Sequence, residues 1–264
     1  MNTEFFTCHN TAIRQYANAI WQMEGIPSYS QETILPKGVI ELIFSFSDAV
    51  AFGKCPEDQK TTTPRCFVNG MNNRPLYVNA PSHQFFFGIE INPLAVKKIL
   101  AVPPGRFLNS VTDLTLISKD FSSLWQQLGE ACCFKQRVDI IYHWIEKKLS
   151  VFCGREIAFS SYLNNELPAA SVTDLAGRFC YSVRQLHRKA NDLFGMPTES
   201  LVIYKRYLSS LKMLHHSSES LTGIGYECGF YDQAHFIREF KNYTGITPGA
   251  YRQQKSNRPA HLYR

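Results

Sequence analysis

The sequence predicts an α+β chain of two domains: a β-rich, barrel-like N-terminal domain, a helical connector, and an all-α C-terminal domain built from two helix-turn-helix units. Three observations predict it. Short apolar runs bounded by turn residues occupy the first part of the chain, helical spacing takes over from about Asp120, and a cap-and-helix pattern occurs twice, 50 residues apart, near the C-terminus. The boundaries that follow are 1–115, 116–154 and 155–264. A hydrophobic content of 44% with 19% charged residues is that of a folded chain, which excludes a disordered one.

In the first domain Val39–Phe46 and Gln84–Ile91 read as strands, because Phe, Ile and Val dominate them and turn clusters flank them: Asn69-Gly70, Asn72-Asn73 and Pro103-Pro104-Gly105. An early helix is expected over Thr11–Met23 and a short one over Pro93–Leu100. In the connector, Phe121, Leu124, Trp125 and Leu128 recur at helical spacing, as do Phe134, Val138, Ile141, Ile145 and Leu149. The second stripe, on a helix over 134–150, has two readings: packing between the domains, or the seam of a homodimer. Val151–Arg155 is the expected domain boundary.

The first helix-turn-helix unit starts at Ser171, with Val172, Leu175, Ala176 and Phe179 on its inner face and a turn at Cys180-Tyr181. Ser182 suits an N-cap, its hydroxyl accepting a backbone N–H of the next turn. On the helix from Val183 to about Leu193, Val183, Leu186 and Ala190 are expected inward, so Arg184, His187, Arg188 and Asn191 share the outer face. The second unit starts at Ser220, with Leu221, Ile224, Gly225 and Cys228 inward and a turn at Gly229-Phe230-Tyr231. Asp232 then caps a helix whose Phe236 and Phe240 face the core. A long helix around Glu199–Leu214 joins the units. Residues 155–264 hold 14 Lys/Arg against 9 Asp/Glu, nearly all of the chain's net charge of +6, which fits a polyanion partner for that half. An outward arginine can give two N–H donors to a guanine edge in the major groove, and His or Asn can reach neighbouring edges or phosphates.

Gly229–Lys241 (GFYDQAHFIREFK), continuing to Gly245–Arg252 (GITPGAYR), resembles the signature of the AraC/XylS family of bacterial transcription regulators. Asp174-Leu175-Ala176, Ser182 with Leu186-His187-Arg188, and Gly195-Met196-Pro197 resemble the first half of the same module, over about 171–252 in all. The resemblance implies binding of double-stranded promoter DNA without chemistry. Arg184, His187 and Arg188 would read bases from the first unit, and Gln233, Ala234, Ile237 and Arg238 would line the second reading face. Lys241 would contact phosphate. Three departures stand out: Ala190 where the family usually has phenylalanine, Cys180 where glycine is usual, and apolar Ala234 and Ile237 where polar residues are common.

The N-terminal half resembles, more loosely, the family's β-rich sensor domains, over Pro36–Phe44 and Gly88–Pro93. That resemblance implies a small-molecule effector, with Phe44, Phe46, Arg74, Phe85 and Phe87 as its candidate lining; the plainer reading of these aromatics is core. RNA polymerase is a further candidate partner, and control by a protein partner is the alternative to an effector. An enzymatic N-terminal domain has little support: His9 and His83 are the histidines of residues 1–110, and Cys66 with His83 lacks any local motif. No metal site or cofactor is expected. The eight cysteines, without a C-x-x-C pair, read as reduced and mostly buried thiols, and His215-His216 as an exposed helix end. The basic tail, Arg252, Lys255, Arg258 and Arg264, reads either as a frayed terminus or as a non-specific phosphate contact. With no membrane-spanning or signal-like segment, a cytoplasmic location is expected.

Overall fold

The computed structural model describes residues 2–57, 61–149, 152–165 and 171–264. The N-terminal half contains β1 (Asn2–Thr7), α1 (Thr11–Arg14), β2 (Ala17–Gly25), β3 (Gln31–Ile34), β4 (Ile40–Ser45), β5 (Ala51–Gly53) and β6 (Thr61–Thr62). It continues with β7 (Cys66–Asn69), β8 (Leu76–Asn79), β9 (Gln84–Ile91), α2 (Pro93–Leu100) and β10 (Val111–Asp113). Then come α3 (Asp120–Glu130), α4 (Phe134–Glu146), α5 (Gly154–Ser160), α6 (Val172–Arg178), α7 (Val183–Phe194) and α8 (Thr198–His216). The chain ends with α9 (Leu221–Glu227), α10 (Gln233–Thr244), α11 (Pro248–Gln254) and β11 (His261–Tyr263).

Two antiparallel sheets form the N-terminal domain, one in the order β1-β2-β9-β4-β7-β10 and the other β11-β3-β8-β5-β6. One face of the larger sheet meets the smaller sheet around Trp21, Met23, Ile43 and Phe67. Its other face, with Phe44 and Phe87, meets the helices: Phe87 packs on Phe134 of α4 at 6.2 Å between ring centroids. A sheet covered on both sides needs apolar residues at successive positions, which is why β4 and β9 read as continuous runs. Gly88 is part of that packing, since a Cβ there would sit 2.2 Å from the Trp21 ring opposite it.

The expected helix over Thr11–Met23 is corrected. Asn10 Oδ1 accepts from Ala12 N and caps a single turn, α1, and Ala17–Gly25 then crosses as a strand between β1 and β9. Ile20 and Trp21 bury on opposite faces there, which a helix inside a sheet cannot achieve. The Pro93–Leu100 helix forms as expected, with Asn92 Oδ1 accepting from Leu94 N at 2.9 Å and proline in the first turn.

The stripe over 134–150 also has a different role from either one expected. Val138, Ile141 and Ile145 are buried inside the N-terminal domain, where Tyr142 meets Phe6 edge-on and Arg137 donates to Gln22 Oε1 of β2 at 3.0 Å. Of that row only Leu149 is exposed, at 43%; Ser150 lies outside the described residues. The face is consumed within the chain, so it forms no homodimer seam.

The two halves are tightly joined. Tyr204 of α8 accepts from Gly38 N (3.1 Å) and donates to Asn72 O (2.6 Å), and Tyr207 donates to Pro36 O at 2.9 Å. The basic tail is neither frayed nor free. Lys255 donates to Leu214 O and His215 O at the end of α8, Arg252 donates to Glu219 O, and β11 pairs antiparallel with β3 of the N-terminal domain. Residues 155–264 therefore end inside the sheet of the other half.

Cysteine burial is corrected too. Cys8, Cys66 and Cys228 are buried, but Cys55, Cys132, Cys133, Cys153 and Cys180 are exposed, each in a turn or at a helix start. Burial pushes the Cys66 thiol up to about 11, away from nucleophilic reactivity. His215 is held by Tyr251 (Nδ1 to hydroxyl, 2.9 Å), and among the described residues no group of three His, Cys, Asp or Glu could hold a metal ion. No helix among the described residues is long and apolar enough to cross a membrane.

Candidate nucleic-acid interface

The two helix-turn-helix units repeat each other down to their caps. Ser171 accepts from Asp174 N to start α6, as Ser220 accepts from Gly223 N to start α9. Each turn is closed by the same backbone bond, Tyr181 N to Ala176 O at 2.9 Å and Phe230 N to Gly225 O at 3.0 Å. That bond needs a left-handed residue just before it: Cys180 has φ 53° and Gly229 has φ 79°. The small Ala176 and Gly225 occupy equivalent places where the helices cross, and a Cβ on Gly225 would only just touch Phe236.

The reading helices α7 and α10 are each 12 residues long and end at a glycine in the left-handed region, Gly195 at φ 70° and Gly245 at φ 75°. Ser182 and Gln185 form a full capping box on α7, and Asp232 accepts from His235 N at 2.7 Å on α10. The first unit's core is completed from outside it: Phe159 of α5 is fully buried against Phe179, Tyr181 and Phe194. In the second unit Phe240, at the place equivalent to Ala190, packs on Phe236, Tyr207 and Tyr251. The sequence departure at Ala190 thus coincides with a differently filled core.

Of the expected reading residues, Arg184 and Arg188 are exposed and form no ion pair among the described residues. Gln233, Ala234, Arg238 and Lys241 are also exposed and Ile237 is half-buried, all on one side of α10. Two of these side chains are partly engaged. Gln233 Oε1 accepts from Thr222 at 2.8 Å, and Arg238 Nε lies 3.5 Å from Glu239 Oε1 while its side chain stays 68% exposed.

Two of the expected positions also make contacts within the protein. His187 is turned to the protein, its Nδ1 3.1 Å from Thr198 Oγ1 and its Nε2 3.6 Å from Glu199, so it braces α7 on the start of α8. Asn191 is exposed but donates back to His187 O at 3.2 Å, at the end of α7 that abuts the N-terminal domain. There the fit is so close that a Cβ on Gly105 would lie 2.3 Å from Asn191 O. Val183, expected inward, is 43% exposed, because a first-turn side chain projects off the helix start.

Sequence reasoning gave no outward role to Tyr226, in the last turn of α9, or to Tyr231, in the turn of the second unit, which are 84% and 91% exposed. A large aromatic beside an N-cap, out of phase with the buried Ile224 and Phe236, was the available signal.

The residues expected to line an effector site are divided between core and groove. Phe44, Phe46, Phe85 and Phe87 share a parity along β4 and β9 and turn toward the helices: Phe44 and Phe87 are fully buried core, and Phe46 stacks on Trp125 of α3. Phe46 lines an open groove of about 400 Å³ with Arg65, His83 and Trp125, flanked by Phe85 at 5.0 Å between ring centroids. Arg74 is exposed and lines neither that groove nor the cavity between the sheets. That cavity, of about 90 Å³, is lined instead by Ile43 and Phe86 from the opposite face of the same strands.

Comparison with known proteins follows this division. The family described as a helix-turn-helix domain matches residues 175–254, and a domain of unknown function (DUF6597) matches residues 10–113. The HTH-type transcriptional activator RhaS of Escherichia fergusonii is 34% identical over 85 residues, which are 32% of this chain and 31% of that protein. The chain thus spans about a third of the length of the curated relatives it matches. A transcriptional regulator from Chromobacterium violaceum, described by its AraC-type DNA-binding domain, is 30% identical over 33% of this chain and 80% of its own, with a TM-score of 0.31. ToxT from Vibrio cholerae aligns over 88% of this chain and 97% of its own at 11% identity, with a TM-score of 0.44. Residues 175–254 thus form a helix-turn-helix domain similar to that of the HTH-type transcriptional activators.

Proposed function

We propose that this chain is a sequence-specific DNA-binding transcription regulator, with α7 and α10 entering successive major grooves of promoter DNA. One observation carries the reading: two helices, each N-capped by a side chain that accepts from the third helical N–H and mounted on α8, each turn an arginine-bearing face to solvent. Arg184 and Arg188 suit guanine edges; Ala234 and Ile237 suit thymine methyl groups, with Arg238 beside them. Lys241 and the exposed Tyr226 and Tyr231 suit phosphates. A chain carrying both units needs no symmetric partner to read a full site, and whether it activates or represses follows from where that site lies relative to RNA polymerase. The mechanism is equilibrium binding, without a reaction.

The test is selection of bound duplexes from random DNA by the full chain. The expected product is a site of two half-motifs about 10 bp apart, one helical turn. Enrichment of a single half-motif would remove α10 or α7 from the reading role, and no enrichment over random sequence would overturn the proposal.

For the N-terminal domain we propose modulation by a small molecule, supported by the cavity between its sheets and by α8 hydrogen-bonded to the same domain. A ligand shifts DNA affinity only to the extent that it binds the two arrangements unequally. Control by a protein partner is the competing reading. Protection of the full chain from thermal unfolding by a metabolite library, with a matching change in DNA affinity, separates the two.

A further inference from the structure

We infer that the N-terminal domain makes a DNA contact of its own: Lys97 and Arg106 form a phosphate-binding edge that continues the reading face of α7 onto the sugar-phosphate chain beside the first half-site. The inference rests on the DNA-binding reading above and adds to it a sequence-independent contact outside the helix-turn-helix units.

The two units are unequal where they should meet phosphate. Asn191 stands nine residues after the N-cap of α7, as Lys241 stands nine residues after that of α10. Lys241 is an exposed cation in the last turn of its helix. The last turn of α7 holds no basic residue; Asn191 is turned back on His187 O, and Asp192 follows it. A reading helix that sets its first turns on base edges carries its last turn to the rim of the groove, against the backbone. At that rim an uncompensated carboxylate repels phosphate.

The N-terminal domain supplies what α7 lacks. Asp192 lies one helical turn beyond Arg188 on the same side of α7, and Lys97 of α2 reaches it, Nζ to Oδ2 at 4.0 Å. Both side chains stay about half exposed, at 49% and 43%, so the pair is weak and open to solvent. An ammonium has three N–H donors, enough to keep Asp192 and bind a phosphate oxygen at once. Arg106 stands beside the same helix end. The Pro104–Phe107 turn that carries it packs so closely that a Cβ on Gly105 would lie 2.8 Å from the Gly195 Cα. Its side chain is exposed and has no carboxylate partner among the described residues, leaving two parallel N–H groups for a phosphate. Lys97 and Arg106 belong to one half of the protein and Arg188 to the other. The contact therefore exists only while the halves are docked, and undocking lowers affinity for every sequence alike.

The test compares full-length K97Q/R106Q with the wild-type chain on the selected and a random duplex over a salt series, by fluorescence anisotropy. Two lost phosphate contacts should lower the slope of log affinity against log salt by about 2. Binding to both duplexes should weaken about tenfold at physiological salt, with their ratio unchanged. K54Q/K119Q removes the same charge from exposed lysines outside α2 and the 104–107 turn and should keep the wild-type slope. An unchanged slope in K97Q/R106Q, or an equal drop in K54Q/K119Q, would overturn the inference. So would recovery of the wild-type slope on adding D192N to K97Q/R106Q, which would reduce both cations to shields for Asp192. A wild-type chain that binds neither duplex would instead overturn the DNA-binding reading, and this contact with it.

Discussion

His261 Nδ1 and Glu32 Oε1 lie 2.5 Å apart, a buried hydrogen bond between residues 229 positions apart that docks the C-terminal tail on the N-terminal sheet. Burial holds the His261 imidazole down at about 4, and the charges of Arg258 and Lys37 push the same way against Glu32. The unfolded chain takes up a proton near the ordinary histidine value of about 6.5, whereas the folded chain refuses it until about 4. Stability is therefore full above about 6.5, falls as pH drops through that window, and loses no more from this group below it. The loss is about 3 kcal/mol if the whole shift is expressed. Urea unfolding at several pH values should show it in the wild-type chain, and H261Q should flatten that part of the curve.

Replacing Arg188 with alanine should cost about 1–3 kcal/mol at the selected site and relax base preference at one position. The side chain is exposed and unpaired among the described residues, so its loss leaves no buried group unsatisfied there and the fold should keep its Tm. Titration of selected and random duplexes by fluorescence anisotropy checks this. An equal loss on both duplexes would make Arg188 a phosphate contact.

Cys180 holds φ 53° in the turn of the first unit, where Gly229 holds φ 79° in the second. A side chain in that region costs energy that glycine avoids, partly offset by the greater freedom of glycine in the unfolded chain. Cys180→Gly should therefore stabilise the protein by about 0.5–1 kcal/mol. The carbonyl that accepts from Arg155 at 3.2 Å is backbone and stays in place. Chemical denaturation of both forms reads the change, and a lower midpoint for the glycine variant would mean that the thiol packs usefully.

Local chemistry made the C-terminal domain legible. Ser182, Asp232, Gly229 and Gly245 each specify a cap or a left-handed turn within a few residues, so α7 and α10 could be bounded from sequence. Strand faces were not legible in the same way. With β4 and β9 covered on both sides, nothing alternates to separate Phe44 and Phe87 from Ile43 and Phe86, and the cavity was sought one residue out of register. Ile13, Tyr16 and Ile20 fall at helical spacing yet straddle the junction of a one-turn helix and a strand. The tail was hidden for a third reason: three residues, His261–Tyr263, have no pattern of their own and pair with β3 across most of the chain.

Tyr204 bridges the two halves with one hydroxyl, accepting from Gly38 N and donating to Asn72 O, and its ring is fully buried. Tyr204→Phe keeps the ring, which packs on Tyr207 and Tyr243, and leaves the two backbone groups without that partner. The expected cost is about 1–3 kcal/mol, the desolvation penalty of unmet buried groups. Its location matters more than its size, because Gly38 and Asn72 belong to the N-terminal domain and Tyr204 to the helix that carries both reading units. If this contact couples the halves, Y204F should separate a single unfolding transition into two, seen by scanning calorimetry. It should also weaken the effect of any N-terminal ligand on DNA affinity, leaving affinity for each partner alone within about twofold. A variant that loses stability but keeps one transition and full ligand response would show that the halves communicate elsewhere, with the β11 tail as the remaining link.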